Sequence, residues 1–250
     1  MTAPAAVLGS PGELYAGRCA VCGSFETFEL RSHSLREGYC CPTCRASLRY
    51  RDQAAAIIAA MSLHGAQSLV QLVAEPSFRA LDIYEPGIIG PFRSLLGGLR
   101  GYKTSYFWTD GEPGQMHNGQ RCENLESLTY PDKSFDLVLT SDIFEHVRQP
   151  WTAFGEVLRV LRPGGRHIFS VPISWPSATP TSSRVDVVGD RDLHLRPRHY
   201  HGSPTDSAGS LVYTDYGGDL DVRLRECGWD VVVRHGLWTN ASFEARRPLT

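Results

Sequence analysis

The stretch from Tyr130 to Pro172 reads YPDKSFDLVLTSDIFEHVRQPWTAFGEVLRVLRPGGRHIFSVP. Its apolar run from Phe135 to Leu139 is short. Pro131-Asp132 precede it and Ser141-Asp142 follow it, which predicts a buried parallel strand. The period then changes: Phe154, Val157, Leu158 and Leu161 recur at helical spacing. Pro163-Gly164-Gly165 stops that helix, and His167 to Val171 returns as a second apolar strand. The block is therefore one βαβ unit. Ligands of open parallel sheets lie outside the carboxyl ends of the strands, so Thr140, Ser141, Asp142, Glu145 and His146 stand where chemistry is expected.

In combination, SFDLVLTSD, FEHV and LRVLRPGG resemble the latter half of the catalytic domain of class I S-adenosylmethionine-dependent methyltransferases. The resemblance implies an α/β fold with a doubly wound, mostly parallel seven-stranded sheet, and S-adenosyl-L-methionine as cofactor. Proline-glycine-glycine alone is an ordinary helix stop.

Composition agrees with an enzyme domain. With 250 residues, 42% of them hydrophobic, and a formal charge of −2, the chain can bury a full core and is neither disordered nor generally basic. The first residues lack a positive start followed by a long apolar run. No stretch approaches the roughly 18 apolar residues of a membrane helix, so a cytoplasmic protein without membrane attachment is expected.

Cysteine spacing marks a second unit. Cys19-Ala-Val-Cys22 and Cys41-Pro-Thr-Cys44 are two C-x-x-C knuckles separated by 18 residues, the pattern of a four-thiolate zinc ribbon. Four protein thiolates leave zinc no open position, so its expected role is structural. Cys40 adjoins Cys41, but only Cys41 forms C-x-x-C with Cys44. Cys122 and Cys227 read as ordinary buried thiols. The expected organisation is a flexible arm over 1–14, a ribbon over 15–50, a linking helix within 51–75 that starts at Asp52, and the main domain over 76–250. Arg45, Arg49 and Arg51 have two readings: contacts to phosphates, or solvated residues at the helix start.

Arg79-Ala-Leu-Asp-Ile-Tyr-Glu-Pro-Gly87 resembles the first strand and cofactor loop of the methyltransferase fold, with a single glycine in place of the usual alternating ones. A subgroup with zinc knuckles before the domain tends to carry Glu-Pro-Gly here. The resemblance implies cofactor contacts from Glu85 and Gly87, and from Tyr84 and Asp82. The acid that usually holds the ribose is absent from Ser105-Tyr106-Phe107, so either Ser105 and Tyr106 supply that contact or Asp110 reaches back. Asn124 stands at the position of an aspartate that reads the adenine amino group, with Leu125 against the ring. Ser141 and Asp142 have two readings, cofactor contact or a helix cap. Glu145 either contacts a ligand or favours the positive helix end.

After Pro172 comes a Ser-, Thr- and Pro-rich excursion of about 40 residues, a length that is usually functional in a compact domain. A lid over about 174–215 is expected. It holds His199, His201 and the run from Gly209 to Gly217, also similar to the zinc-knuckle subgroup. With His146, these histidines are the candidate bases, because an imidazole titrates near neutral pH. Each also has a structural reading. Asp219 to Cys227 predicts a helix, Trp229 to Arg234 a strand, and the last dozen residues an antiparallel return strand.

The expected function is methyl transfer to an oxygen or nitrogen of a small molecule, a sugar or secondary metabolite in a biosynthetic route. The alternatives are transfer or cyclisation of the aminocarboxypropyl arm, a non-catalytic scaffold, and RNA methylation with the ribbon as dock. The near-neutral charge makes nucleic acid the weaker partner.

Overall fold

Why the Phe135 run becomes a central strand is visible in its neighbours. The computed structural model describes residues 11–31, 34–173, 175–237 and 240–249. The expected flexible arm lies outside the described residues up to position 10, and so does Ser174 at the start of the expected lid. A hairpin of β1 (Leu14–Arg18) and β2 (Phe25–Glu29) is followed by helix α1 (Leu48–Met61). Then come β3 (Ile83–Pro86), β4 (Tyr102–Ser105), β5 (Phe135–Ser141), helix α2 (Pro150–Val160) and β6 (Leu161–Ser170). The excursion contains β7 (Val185–Val188), β8 (Arg191–His194), β9 (Tyr200–His201) and β10 (Ser210–Leu211). The chain closes with helix α3 (Leu220–Glu226), β11 (Asp230–His235) and β12 (Ala241–Arg246).

The main sheet runs in the order β11-β12-β6-β5-β3-β4. β4, β3, β5 and β6 are parallel, while β12 runs antiparallel to both of its neighbours, β6 and β11. Among the described residues, six strands therefore stand where seven were expected. The missing edge strand is reduced to one parallel bridge, Tyr106 to Cys122. Gln120–Arg121 turns back onto Met116–His117, and the Asn124 side chain accepts from the Glu126 amide at 2.9 Å, which bends the chain away from the edge.

Two further boundaries moved. α2 ends at Val160, so Leu161 is the first residue of β6 and not the last on the helix face. Pro163 disfavours the helical conformation at Arg162 and ends the helix earlier than the Pro-Gly-Gly run itself. Gly165 is obligatory there: a Cβ would lie 2.8 Å from the Arg162 carbonyl and 3.2 Å from that of Asp136. α1 begins at Leu48, four residues before the expected start, which brings Arg49 and Arg51 into the helix. The excursion, expected as a long loop, is built from small antiparallel pairs, β7 with β8 and β9 with β10.

Each face of the sheet carries its own core. Tyr84, Val138, Phe154 of α2, Phe169 and Leu220 of α3 pack on one side. On the other, Ile83, Leu137, Leu139 and Ile168 pack with Ala54 and Ile57 of α1 and with Cys19, Phe28 and Cys41 of the cysteine module. Alternate residues of one strand serve the two faces. The module is thus part of the domain's core, and Gln53 of α1, fully buried, donates to the Thr140 and Ile168 carbonyls at 3.0 and 3.1 Å.

Candidate active site

At the carboxyl edge of β3 and β5 a cavity of about 1450 Å³ opens, walled by the excursion on one side and by the cysteine module on the other. Glu85 and Gly87 lie on its wall. Gly87 has φ +118°, where a side chain would strain the backbone, and its amide donates to the Ser105 carbonyl at 2.7 Å. Burial pushes the Glu85 carboxyl up to about 7, although the Tyr102 hydroxyl donates to it at 2.5 Å.

Asp82 and Tyr84, expected beside them, do not reach the cavity. Asp82 precedes β3 at the opposite end of the sheet, where its carboxylate pairs with Arg162 at 2.8 Å. Tyr84 alternates to the core face and is fully buried, its hydroxyl 2.6 Å from that of Ser105. Ser105 and Tyr106 are on the wall, and the Tyr106 hydroxyl lies 2.9 Å from that of Thr205 in the excursion. Asp110, Asn124 and Leu125 complete this part. Trp108, which no sequence motif singles out, also lines the cavity and packs edge-on to Tyr106 with ring centroids 4.8 Å apart.

The other end of the cavity is polar. Asp142 accepts from two nitrogens of Arg36 at 2.8 and 2.9 Å and from Ser170 at 2.9 Å, with Arg49 3.2 Å away. Burial pushes its carboxyl up, but Arg36 and Arg49 outweigh that and hold it below the usual range. Asp142 is therefore an ion-pair partner and caps no helix. Ser141 donates to the Gln53 side chain at 2.6 Å, so it does not serve as a substitute cap. Arg51 donates to the Tyr39 carbonyl at 2.9 Å and its guanidinium lies over Phe28 at 3.6 Å. Neither Arg49 nor Arg51 is a solvated residue at a helix start. A helix started at Leu48 would have placed Arg49 on the buried face with Gln53, Ala56 and Ile57, the one signal from which it could have been found. Arg36 leaves no such trace.

His146 ends a short 3₁₀ turn, Phe144–His146, and does not begin α2. Its Nδ1 lies 2.8 Å from the Leu211 carbonyl of β10, so Nδ1 carries the proton and Nε2 is left with a lone pair. Nε2 lies 3.6 Å from Glu145 Oε1, and the same oxygen is 3.6 Å from His201 Nδ1 of β9. Burial raises the Glu145 carboxyl above its usual range, and the carboxylate raises His201. His199 does not line the cavity; its ring packs edge-on against His201 at 5.0 Å. The excursion is tied to the 3₁₀ turn through the Tyr213 amide on the Glu145 carbonyl at 2.7 Å and Tyr216 on the Phe144 carbonyl at 3.2 Å.

Behind the Arg36 wall the four expected cysteines converge. Sulfur separations of 3.7 Å for Cys19–Cys44 and for Cys22–Cys41 match the edge of about 3.8 Å that tetrahedral Zn–S bonds of about 2.3 Å require. Cys40 is exposed and lies outside the cluster, its thiol on the Glu37 carbonyl. Cys122 is buried as expected, but Cys227 is exposed.

The strand order and the position of the cavity define a Rossmann-like methyltransferase fold. Residues 108–169 match the family described as methyltransferase domain. An uncharacterized methyltransferase of Mycobacterium marinum is 43% identical over 145 residues, 48% of this chain and 56% of that protein. Another from Mycolicibacterium vanbaalenii is 30% identical over 139 residues, 46% and 54% of the two chains. The chain spans about half the length of the curated relatives it matches. The chain is similar to a solved S-adenosylmethionine-dependent methyltransferase from Mesorhizobium loti over 67% of this chain and 91% of that one, at 18% identity and a TM-score of 0.43. Over the matched part the chain is similar to methyltransferase domains. Among the described residues no helix is long and apolar enough to cross a membrane.

Proposed function

We propose that the chain transfers the methyl group of S-adenosylmethionine to an oxygen or nitrogen of a small polar molecule of the sugar or secondary-metabolite kind. One observation carries the reading: Glu85–Gly87 and the cluster of Glu145, His146 and His201 face one cavity at the sheet's carboxyl edge. In this reading Glu85, Gly87, Ser105, Tyr106, Asn124 and Leu125 hold the cofactor, and the aromatic wall with Trp108 flanks the adenine. The sulfonium brings its own leaving group, so the chain's task is alignment, which can supply roughly 7–11 kcal/mol. Nε2 of His146 takes the acceptor's proton, and His201 on the excursion orients the acceptor. The four cysteines hold a structural zinc. Docking of RNA through the ribbon is disfavoured because Arg49 and Arg51 are committed to internal contacts.

Product analysis tests the reaction. S-adenosylhomocysteine is the expected product, whereas methylthioadenosine would mean that the aminocarboxypropyl arm had moved. His146→Ala should lower kcat by roughly a hundredfold with KM for the cofactor unchanged. An unaltered kcat with the true acceptor removes His146 from that role.

Glu85 gives a second expected result. Because its carboxyl titrates at about 7, the ionised form that accepts hydrogen bonds from the cofactor is scarce below neutrality. Cofactor affinity measured by calorimetry should be about tenfold weaker at pH 6 than at pH 8. In Glu85→Gln it should be weak and flat. A pH-independent wild type, or the same slope in the variant, refutes the contact.

A further inference from the structure

We propose that Glu145, His146 and His201 form a binding site for a divalent first-row metal ion at the acceptor end of the cavity. Glu145 is 1% exposed, it faces the cavity, and neither of its carboxylate oxygens has a hydrogen-bond partner among the described residues. A buried carboxylate in that condition is costly unless something fills its coordination.

The two nearest groups do not do so by themselves. His146 Nε2 and His201 Nδ1 each stand 3.6 Å from Oε1, beyond hydrogen-bond reach. That spacing is close to what a shared ion needs: bonds of about 2.1 Å in tetrahedral geometry put neighbouring ligand atoms about 3.4 Å apart. All three donor atoms lie within 4.8 Å of one another. His146 is already oriented as a ligand, since its Nδ1–H donates to the Leu211 carbonyl and turns the Nε2 lone pair toward Oε1. Two imidazoles and one carboxylate suit Zn²⁺, Fe²⁺ or Mn²⁺ better than a hard cation such as Ca²⁺.

The three ligands come from two parts of the chain. Glu145 and His146 follow β5, while His201 is brought in by the β9–β10 pair, so the ion would tie the excursion to the sheet edge. Three protein ligands leave at least one position open toward the cavity. Resting on the methyl-transfer reading but replacing His146 as its base, since Nε2 cannot both bind the ion and take a proton, that open side selects acceptors with adjacent oxygens, such as vicinal hydroxyls or a hydroxyl beside a carbonyl, whose proton the bound ion makes more acidic. The site itself does not depend on turnover.

The test is a titration of the full-length chain, zinc already in its four-cysteine site, with Co²⁺ followed by visible absorption. The expected result is one Co²⁺ per chain with ligand-field bands but no thiolate-to-cobalt charge transfer. Affinity should fall at least tenfold in both Glu145→Gln and His201→Ala. His201 lies on a short, partly exposed strand, so its variant should melt within a few degrees of the parent and decides the matter if Glu145→Gln misfolds. Absence of cobalt bands, bands that arise only with thiolate charge transfer, or equal affinity in His201→Ala overturns the site.

Discussion

Stripping zinc from the four-cysteine site, by chelation or by Cys41→Ala, is expected to lower the melting temperature by at least about 10 °C and to abolish cofactor binding. Apparent binding free energies of structural zinc are on the order of 10 kcal/mol. A loss of only a third of that shifts a domain of this size by roughly 6–12 °C. The β1–β2 hairpin has two strands, and such a unit is marginal on its own. Cys19 and Cys41 are fully buried, in contact with the same core as Leu137, Leu139 and Ile168 of the sheet. Burial raises the Cys19 thiol above its usual range and pushes Cys44 up to about 11, whereas burial of Cys22 is outweighed by hydrogen bonds from Ser24, which lower that thiol to about 7. The turn between the knuckles also supplies Arg36 and Glu37 to the cavity wall. Loss of the ion should therefore be felt in both calorimetry and cofactor titration. A metal-free chain that melts within a few degrees of the parent and keeps its cofactor affinity refutes the structural role.

Legibility in the sequence followed the range of the interactions. β5, α2 and β6 were readable because their apolar periods are local, and the four cysteines because two knuckles fix both residue type and spacing. Gly87 was reached only through the resemblance of its loop, and the structure places it on the cavity wall with a backbone conformation that disfavours a side chain. The seventh strand failed because pairing at a sheet edge competes with local turns, and here the Asn124 side chain and the Gln120–Arg121 hairpin won. Asp82 and Tyr84 failed for a geometric reason. Tyr84 lies on the strand that carries the loop but alternates to its core face, and Asp82 precedes that strand at the end away from the cavity. The arginine–aspartate wall was the least legible part. Arg36 and Asp142 are 106 positions apart, and no periodicity links them. The same applies to His201, recognisable as a histidine in a lid but not as a neighbour of Glu145.

That wall should be the most sensitive point outside the zinc site. Asp142→Ala is expected to destabilise the chain by about 3–5 kcal/mol, since it leaves Arg36 and Arg49 facing each other with their shared partner gone. The corresponding fall in melting temperature is roughly 6–20 °C. Asp142 has φ +52°, a conformation that aspartate and asparagine tolerate better than alanine. Asp142→Asn keeps the backbone preference and loses only the charge, so it should cost about 1 kcal/mol less. Because the folded protein holds this carboxyl below its usual range, its stabilisation is fully present above an unfolded pKa of about 3.9 and is lost as pH falls through the lower folded value. The difference between wild type and Asp142→Asn should be constant above about pH 5 and close below about pH 4. All three side chains are mostly buried, so 1 M salt should leave that difference largely intact, unlike the exposed Arg31–Glu29 pair. If the gap instead collapses in salt, or widens in acid, the carboxylate is solvated, and the ribbon side of the cavity is held by packing alone.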